Sequence, residues 1–391
     1  MIVANRLNDI NEYYFSKKLR QIASMNESGY DVINLGIGSP DMPPHPEVIK
    51  TLQESAANIG NHAYQSYRGS PVLLNAIAQW YQKHYKVSLN KDTEVLPLIG
   101  SKEGIMHICM TWLNDGDVAL VPDPGYPTYH AAVKLAGGIP VTYNLTANKE
   151  WLPDFAELEA LILQQKLTGK GQVKLMFVNY PHMPSGKLPD ESLFARLVDF
   201  AGRHRILLVN DNPYSFILND EPLSIMQADG AREVALELNS LSKSHNMAGW
   251  RVGMLVGSAD EINEVIRFKS NMDSGMFLPV QLAAAHALSL NDSWNKSLNG
   301  IYKKRQEAVF ELLDLPGCRY DRNQAGMFVW AQCPANVIDG FALSDQLLAD
   351  AAVFVTPGGI FGKNGLNFIR VSLCNTEEKI QAAIHRIKAI L

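Results

Sequence analysis

Lys243 stands in the segment Ser240-Leu241-Ser242-Lys243, just after the apolar run Val234–Leu238, an odd place for a solubilising charge. Eight residues later the segment GWRVG brings Arg251. One amine, two hydroxyls and one guanidinium within twelve residues suit a phosphorylated aldehyde held as a Schiff base. The amine of Lys243 would form the imine, while Ser240, Ser242 and Arg251 hold the phosphate. The plain alternative is a surface lysine beside a structural ion pair.

Asp211 narrows the choice. It follows the apolar run Ile206–Val209, where an isolated buried carboxylate is costly. The ring nitrogen of pyridoxal phosphate (PLP) needs such an anion to stay protonated and act as an electron sink. Tyr214, three residues on, is spaced to donate to the ring's phenolic oxygen, although a structural Asp capping a turn fits the local sequence too. Gly100-Ser101-Lys102-Glu103-Gly104 precedes Ile105, Ile108, Cys109 and Trp112, one apolar helix face. Small residues at a helix start leave backbone N–H groups open to an anion, and the dipole favours phosphate. Such starts are common, so this signal is weak alone. Tyr126, in Asp-Pro-Gly-Tyr-Pro, can stack on a flat ring or cover core.

These residues need elements to position them. Val118–Val121, Val173–Val178, Ile206–Val209 and Val234–Leu238 are short apolar runs separated by helix-length stretches. Continuous short runs suit strands buried on both faces of a mostly parallel sheet. PDPGYP, NYPHMPSG, NDNPY and NSLSK follow the four runs, and open α/β sheets bind ligands at those carboxyl ends. Ser70-Pro71 reads as a helix start, with Leu74, Ile77, Ala78, Tyr81 and Tyr85 on one face. Asn375 with Glu378 reads as a capping box before Ile380, Ile384, Ile387 and Leu391.

Composition sets the outer bounds. The 391 residues suggest two or three domains at roughly 150 residues each. With 47% hydrophobic and 19% charged residues the chain can build a sizeable core, unlike a disordered one. The net charge of −5, without a basic run, gives nucleic acid or a membrane surface nothing to hold. No apolar run exceeds five residues, and the start lacks a secretory h-region, so the expected location is the cytoplasm. The four cysteines are scattered, without metal-ligand spacing, and read as buried thiols; no metal site is expected. HExxH and GxSxG are absent. GIGSPD (36–41) has Asp41 where a dinucleotide fingerprint needs its third glycine, and GGIFGK (358–363) is one residue short of a P-loop. Both are set aside as nucleotide motifs.

The ordered set of cradle, ring-stacking aromatic, carboxylate, lysine and arginine resembles the class I aminotransferases, PLP enzymes of fold type I, over nearly the whole chain. SLSKSHNMAGWRVG (240–253) carries most of the likeness, supported by NDNPY (210–214) and NFIRVSL (367–373). The resemblance implies an α/β fold: a large PLP-binding domain (46–290) with a mostly parallel seven-stranded sheet, and a smaller α+β domain from both chain ends (1–45 and 291–391). It implies that Lys243 binds the cofactor and carries a proton at the substrate Cα. Asp211 would pair with the ring nitrogen, Tyr126 would stack on the ring, and Tyr214 would face the phenolic oxygen. Ser101, Lys102, Ser240, Ser242 and Arg251 would hold the phosphate. Arg370 would clamp the substrate α-carboxylate, with the Gly38 backbone nearby. Tyr64, in YQSYRG, would reach the partner's phosphate across a homodimer with shared active sites. The implied reaction moves an amino group from an L-amino acid to a 2-oxo acid by a ping-pong route through pyridoxamine phosphate.

Ser101-Lys102 and YYFSKKLRQI (13–22) are similar to the LL-diaminopimelate aminotransferase branch, in which Tyr13 would approach substrate. SNMDSGMFLPVQ (270–281) lacks the arginine by which many members bind acidic side chains, so aspartate transamination of that type is not supported. One departure stands out: the family reads NYPNNPTG where this chain has Asn179-Tyr-Pro-His-Met-Pro-Ser-Gly186, which puts Met183 in place of an amide donor to the phenolic oxygen. A thioether cannot donate, so the pKa of the lysine imine should rise unless Tyr214 or His182 compensates. A β-eliminating C–S lyase and a non-catalytic PLP-fold regulator are the alternatives.

Overall fold

A computed structural model describes residues 3–8, 10, 12, 14–169 and 171–390. Its strands are β1 (Ile33–Asn34), β2 (Val95–Leu98), β3 (Val118–Asp123), β4 (Ile139–Asn144), β5 (Val173–Val178), β6 (Leu207–Asp211), β7 (Ala235–Ser240) and β8 (Gly253–Val256), followed by β9 (Arg319–Tyr320), β10 (Phe328–Gln332), β11 (Val353–Phe354), β12 (Thr356–Pro357) and β13 (Phe368–Ser372). A seven-stranded sheet has the order β2-β8-β7-β6-β5-β3-β4. Only β8 runs antiparallel to its neighbours. All residues of β3 and β7 are buried, as a central parallel sheet covered on both faces requires.

The four apolar runs all become strands, with shifted ends. β6 extends through Asp211 because Asp211 pairs with Leu238, so the carboxylate sits on the last strand residue rather than beyond it. Val234 ends a one-turn helix, and β7 runs on to Ser240 instead. Glu237, wholly buried on β7, accepts from Tyr81 Oη (3.0 Å), Ser224 Oγ (2.7 Å), Asn210 Nδ2 (2.9 Å) and the Ile225 N–H (3.0 Å). Four donors offset the cost of burying that carboxylate and anchor the strand that presents Lys243.

One face of this sheet carries a core from helices Pro71–Tyr85, Glu191–His204 and Leu278–Ser289; the other is covered by Ser101–Trp112 and Ala259–Lys269. Ser70 caps the first of these helices, its Oγ accepting from the Leu73 N–H with Pro71 in the first turn. A separate core joins Ile33 and Leu35 to Ser293–Asp314, Gly340–Ala351, Glu377–Lys388 and the four-stranded sheet β12-β13-β10-β9. The capping box expected at Asn375 does not form: Thr376 is the N-cap of the terminal helix, its side chain accepting from the Lys379 N–H. Asn375 instead donates to the Asn34 carbonyl at 2.9 Å, joining the two chain ends. All four cysteines are buried thiols. Among the described residues no helix is long and apolar enough to cross a membrane, and no His/Cys/Asp/Glu group is placed to hold a metal ion.

Candidate active site

The carboxyl ends of the central strands open into a cavity of about 490 Å³. Gly38, Ser101, Lys102, Tyr126, Asp211, Tyr214, Ser240, Ser242, Lys243, Arg251 and Arg370 line it. Tyr64 does not: it is 93% exposed on the surface. Tyr13 lies outside the described residues.

Lys243 is carried by the one-turn helix Leu241–Ser244 that directly continues β7. Ser240 Oγ accepts from the Ser242 N–H, and the Trp294 indole donates to the Ser244 carbonyl at 3.0 Å, fixing the turn. The lysine Nζ donates to Gly38 O at 2.6 Å. Burial lowers the ammonium pKa; nearby Cys374 opposes this, and the charges of Arg370 and Arg251 add to the lowering. Such an amine loses its proton more readily and attacks a carbonyl more readily.

Asp211 faces the same cavity from the end of β6. Burial raises its pKa to about 6, against a hydrogen bond from Tyr129 Oη to Oδ2 (2.8 Å). Its Oδ1 is buried and finds no hydrogen-bond partner among the described residues. A protonated ring nitrogen would supply the missing donor and charge. Asn179 Nδ2 donates to the Asp211 carbonyl, and Asn179 Oδ1 accepts from the Met183 N–H at 2.8 Å. Tyr129 went unread in the sequence, although its position three residues after Tyr126, at a helix start, was the available signal.

The anion cradle depends on two glycines. Gly100, at φ +77°, caps the helix Ser101–Trp112 without a side-chain bond, leaving its first-turn N–H groups free of a capping side chain. A Cβ on Gly100 would lie 2.1 Å from Arg251 Nη2, and one on Gly253 would lie 2.6 Å from the Ser101 nitrogen. Their absence lets guanidinium and helix start converge. Ser240 and Ser242 add hydroxyls 3.0 Å apart. Donors of these three kinds at a helix start match a phosphate.

Tyr126 ends its loop at the N-terminus of helix Pro127–Leu135, its ring edge-on to Tyr129 with centroids 5.7 Å apart. Burial pushes the Tyr214 phenol well above its ordinary pKa, so it remains a donor at neutral pH. Arg370, on β13, lies over the Phe328 ring at 3.7 Å and the Phe361 ring at 4.7 Å. It donates to Gly36 O at 3.0 Å, and its Nη1 meets Met183 Sδ at 3.3 Å. Gly38 is tight against this group, since a Cβ there would sit 2.1 Å from Phe328. His182 cannot replace the amide donor. Its Nε2 faces Pro124 O (3.1 Å), its Nδ1 faces Ser185 Oγ (2.7 Å), and burial lowers it to about 4. Of the two named compensators, only Tyr214 reaches the cavity.

The two glycine segments set aside as nucleotide motifs belong here in another capacity. GIGSPD brings Gly36 and Gly38 under Arg370 and Lys243, while GGIFGK brings Phe361. The latter loop is bound to the large sheet: Asn364 donates to the Asp123 and Asn144 ends of β3 and β4, and the Gly125 N–H donates to Phe361 O at 2.8 Å.

The model of the family described as aminotransferase class I and II matches residues 30–387. The chain belongs to that family. This aminotransferase is 39% identical to the LL-diaminopimelate aminotransferase of Natranaerobius thermophilus over 98% of each chain. BacF from Bacillus subtilis, solved with substrate bound, superposes with a TM-score of 0.94 at 35% identity, covering 100% of this chain and 98% of that one. An aspartate aminotransferase variant from Thermus thermophilus, at 22% identity, TM-score 0.91 and full coverage of both chains, shares the fold. The aminotransferase is thus a fold-type I, PLP-dependent enzyme that moves an amino group between an amino acid and a 2-oxo acid. The unpartnered Asp211 Oδ1, the buried amine of Lys243 and the glycine-framed cradle fit that cofactor.

Proposed function

We propose that amino transfer runs between Lys243 and Arg370, with the substrate's α-carboxylate in a bidentate pair on Arg370 and its amino group at the lysine. The observation that carries this reading is the buried Asp211 Oδ1 without a partner, on the strand beside the one that presents Lys243. PLP, when bound, supplies the electrophilic carbon and the electron sink. Lys243 Nζ, withdrawn from water beside the Gly38 carbonyl, moves the proton at the substrate Cα. Asp211 stays anionic against the ring nitrogen, and Tyr129 orients it through Oδ2. Ser101, Lys102, Ser240, Ser242 and Arg251 hold the phosphate, Tyr126 covers the ring, and Tyr214 donates to the phenolic oxygen. The aromatic rings around Arg370 exclude water from the ion pair, which strengthens it.

The working form in this reading is a cytoplasmic homodimer. Tyr64 stands away from its own cavity and exposed, as a residue serving a partner would. The two cores support a division near residues 45 and 290. The test is the visible spectrum of PLP-loaded protein as single amino acids and then 2-oxo acids are added. Loss of the lysine-bound band on the amino acid and its return on the 2-oxo acid is expected. An unchanged band with pyruvate and ammonia accumulating would overturn the reading in favour of elimination.

A further inference from the structure

Glu103 places a carboxylate in the first turn of Ser101–Trp112, the helix whose start forms the phosphate cradle. A carboxylate and a phosphate both favour the positive end of a helix dipole, so the two compete for one field. The carboxylate has a local task, since Oε2 accepts from the Ile99 N–H and fixes the chain entering Gly100. Its Oε1 lies 3.6 Å from Lys269 Nζ and 3.0 Å from His107 Nε2. Burial would raise the Glu103 carboxyl, but His107 and Lys269 hold it well below its ordinary range, so it stays charged.

Lys269 is 1% exposed and ends the helix Ala259–Lys269, which covers the same face of the sheet. An ammonium buried this deeply is costly without anions around it. Asp273 supplies one, its Oδ1 accepting from Nζ at 2.5 Å, and Glu103 supplies the other. Glu103, Lys269 and Asp273 all lie outside the described wall of the cavity, so none of them has a part at the cofactor or the α-carboxylate.

We propose that Lys269 is a positioning residue for the cofactor phosphate: its ammonium neutralises Glu103 and leaves the start of Ser101–Trp112 positive enough to take a second anion. The inference rests on the cradle reading above and deepens it. Glu103 holds the turn at Gly100, which has no capping side chain of its own, and Lys269 removes the repulsion that this carboxylate would direct at the phosphate. An apolar side chain of similar length would fill the same space and leave that charge acting on the cradle.

The test is a fluorescence titration of full-length apoenzyme with PLP and, in parallel, with pyridoxal, which lacks the phosphate. Lys269→Met should weaken PLP about tenfold, the scale of one unit charge acting over a helix turn or two, while pyridoxal changes by less than about twofold. The double variant E103Q/K269M removes both charges and should return PLP to within about threefold of wild type. Glu103→Gln alone keeps an acceptor for the Ile99 N–H and leaves Lys269 on Asp273, so it should tighten PLP by about threefold or more with pyridoxal unmoved. That variant carries the test if K269M does not fold. Equal weakening of PLP and pyridoxal in K269M, a double variant no better than K269M, or no tightening in E103Q overturns the role of Lys269 and leaves the cradle standing. Equal affinity of the wild type for PLP and pyridoxal refutes the cradle itself, and the role of Lys269 with it.

Discussion

Gly100→Ala should uncouple phosphate binding from the rest of the cofactor site. The added Cβ would meet Arg251 Nη2 at 2.1 Å, Cζ at 2.7 Å and Nη1 at 3.2 Å. Ordinary contact begins near 3.4 Å, so the nearest guanidinium nitrogen must retreat by about 1.3 Å, the difference between those two distances. Alanine at φ +77° adds backbone strain of about 1 kcal/mol. Moving the guanidinium off the phosphate loses one charge-assisted bond, about 1.5–3 kcal/mol, or roughly 10- to 100-fold in PLP affinity. The assay is a fluorescence titration of apoenzyme with PLP and, in parallel, with pyridoxal, which lacks the phosphate. PLP should weaken by that factor while pyridoxal stays within about twofold, since the strain falls on the protein with either ligand. Equal weakening of both would refute the cradle and recast Gly100 as a purely structural turn.

Asp211→Asn should leave the fold intact, because the amide oxygen still accepts from Tyr129, yet slow amino transfer by about 100-fold or more, measured as the single-turnover rate. The same pair reads out pH linkage in the apoenzyme. Burial raises the Asp211 pKa to about 6 from 3.8, so the folded state holds its proton longer and the wild type loses stability relative to D211N as pH rises from about 4 to 6. The loss amounts to about 3 kcal/mol at most, and denaturant melts that diverge in the opposite direction would contradict it. Met183→Asn restores an amide donor and should lower the apparent pKa of the lysine-bound cofactor band by about one unit in a spectroscopic titration. Gly362→Ala, whose Cβ would fall 2.1 Å from Asp123 Oδ1, should free the loop that carries Phe361 and raise KM more than it lowers kcat. A kcat effect alone would count against that role.

The residues legible in the sequence were those whose chemistry clashed with their surroundings. Lys243 and Asp211 stood out as charges attached to continuous apolar runs, and buried parallel strands produce such runs wherever both faces are covered. The strands β2 and β8 were not legible: VLPL carries a proline and pairs only at the sheet edge, and GMLV is four residues long. Phe328 and Phe361 were invisible for a different reason, since an aromatic lining a cavity and one filling a core leave the same mark in the chain. Asn375 was misassigned because its side chain is taken by Asn34, 341 residues away, and local spacing holds no record of that. His182 similarly depends on the Pro124 carbonyl, 58 residues upstream.

The pairing of Ile33–Asn34 with Val353–Phe354 makes the protein sensitive to the direction of its own synthesis. Thr356 Oγ1 donates to the Gly36 carbonyl across 320 residues, and Arg370 donates to the same carbonyl across 334. On a ribosome adding roughly 5–20 residues per second, the first segment emerges about 15–60 s before its strand partner exists. During that interval Ile22 and Leu35 have no mates from the later chain, and they are the residues a chaperone would find. The seven-stranded sheet closes when β8 is made, more than a hundred residues before Arg370. On the proposed roles, translation puts the cofactor cradle in place before the carboxylate clamp, so the nascent enzyme would acquire its means of holding PLP ahead of its means of holding substrate.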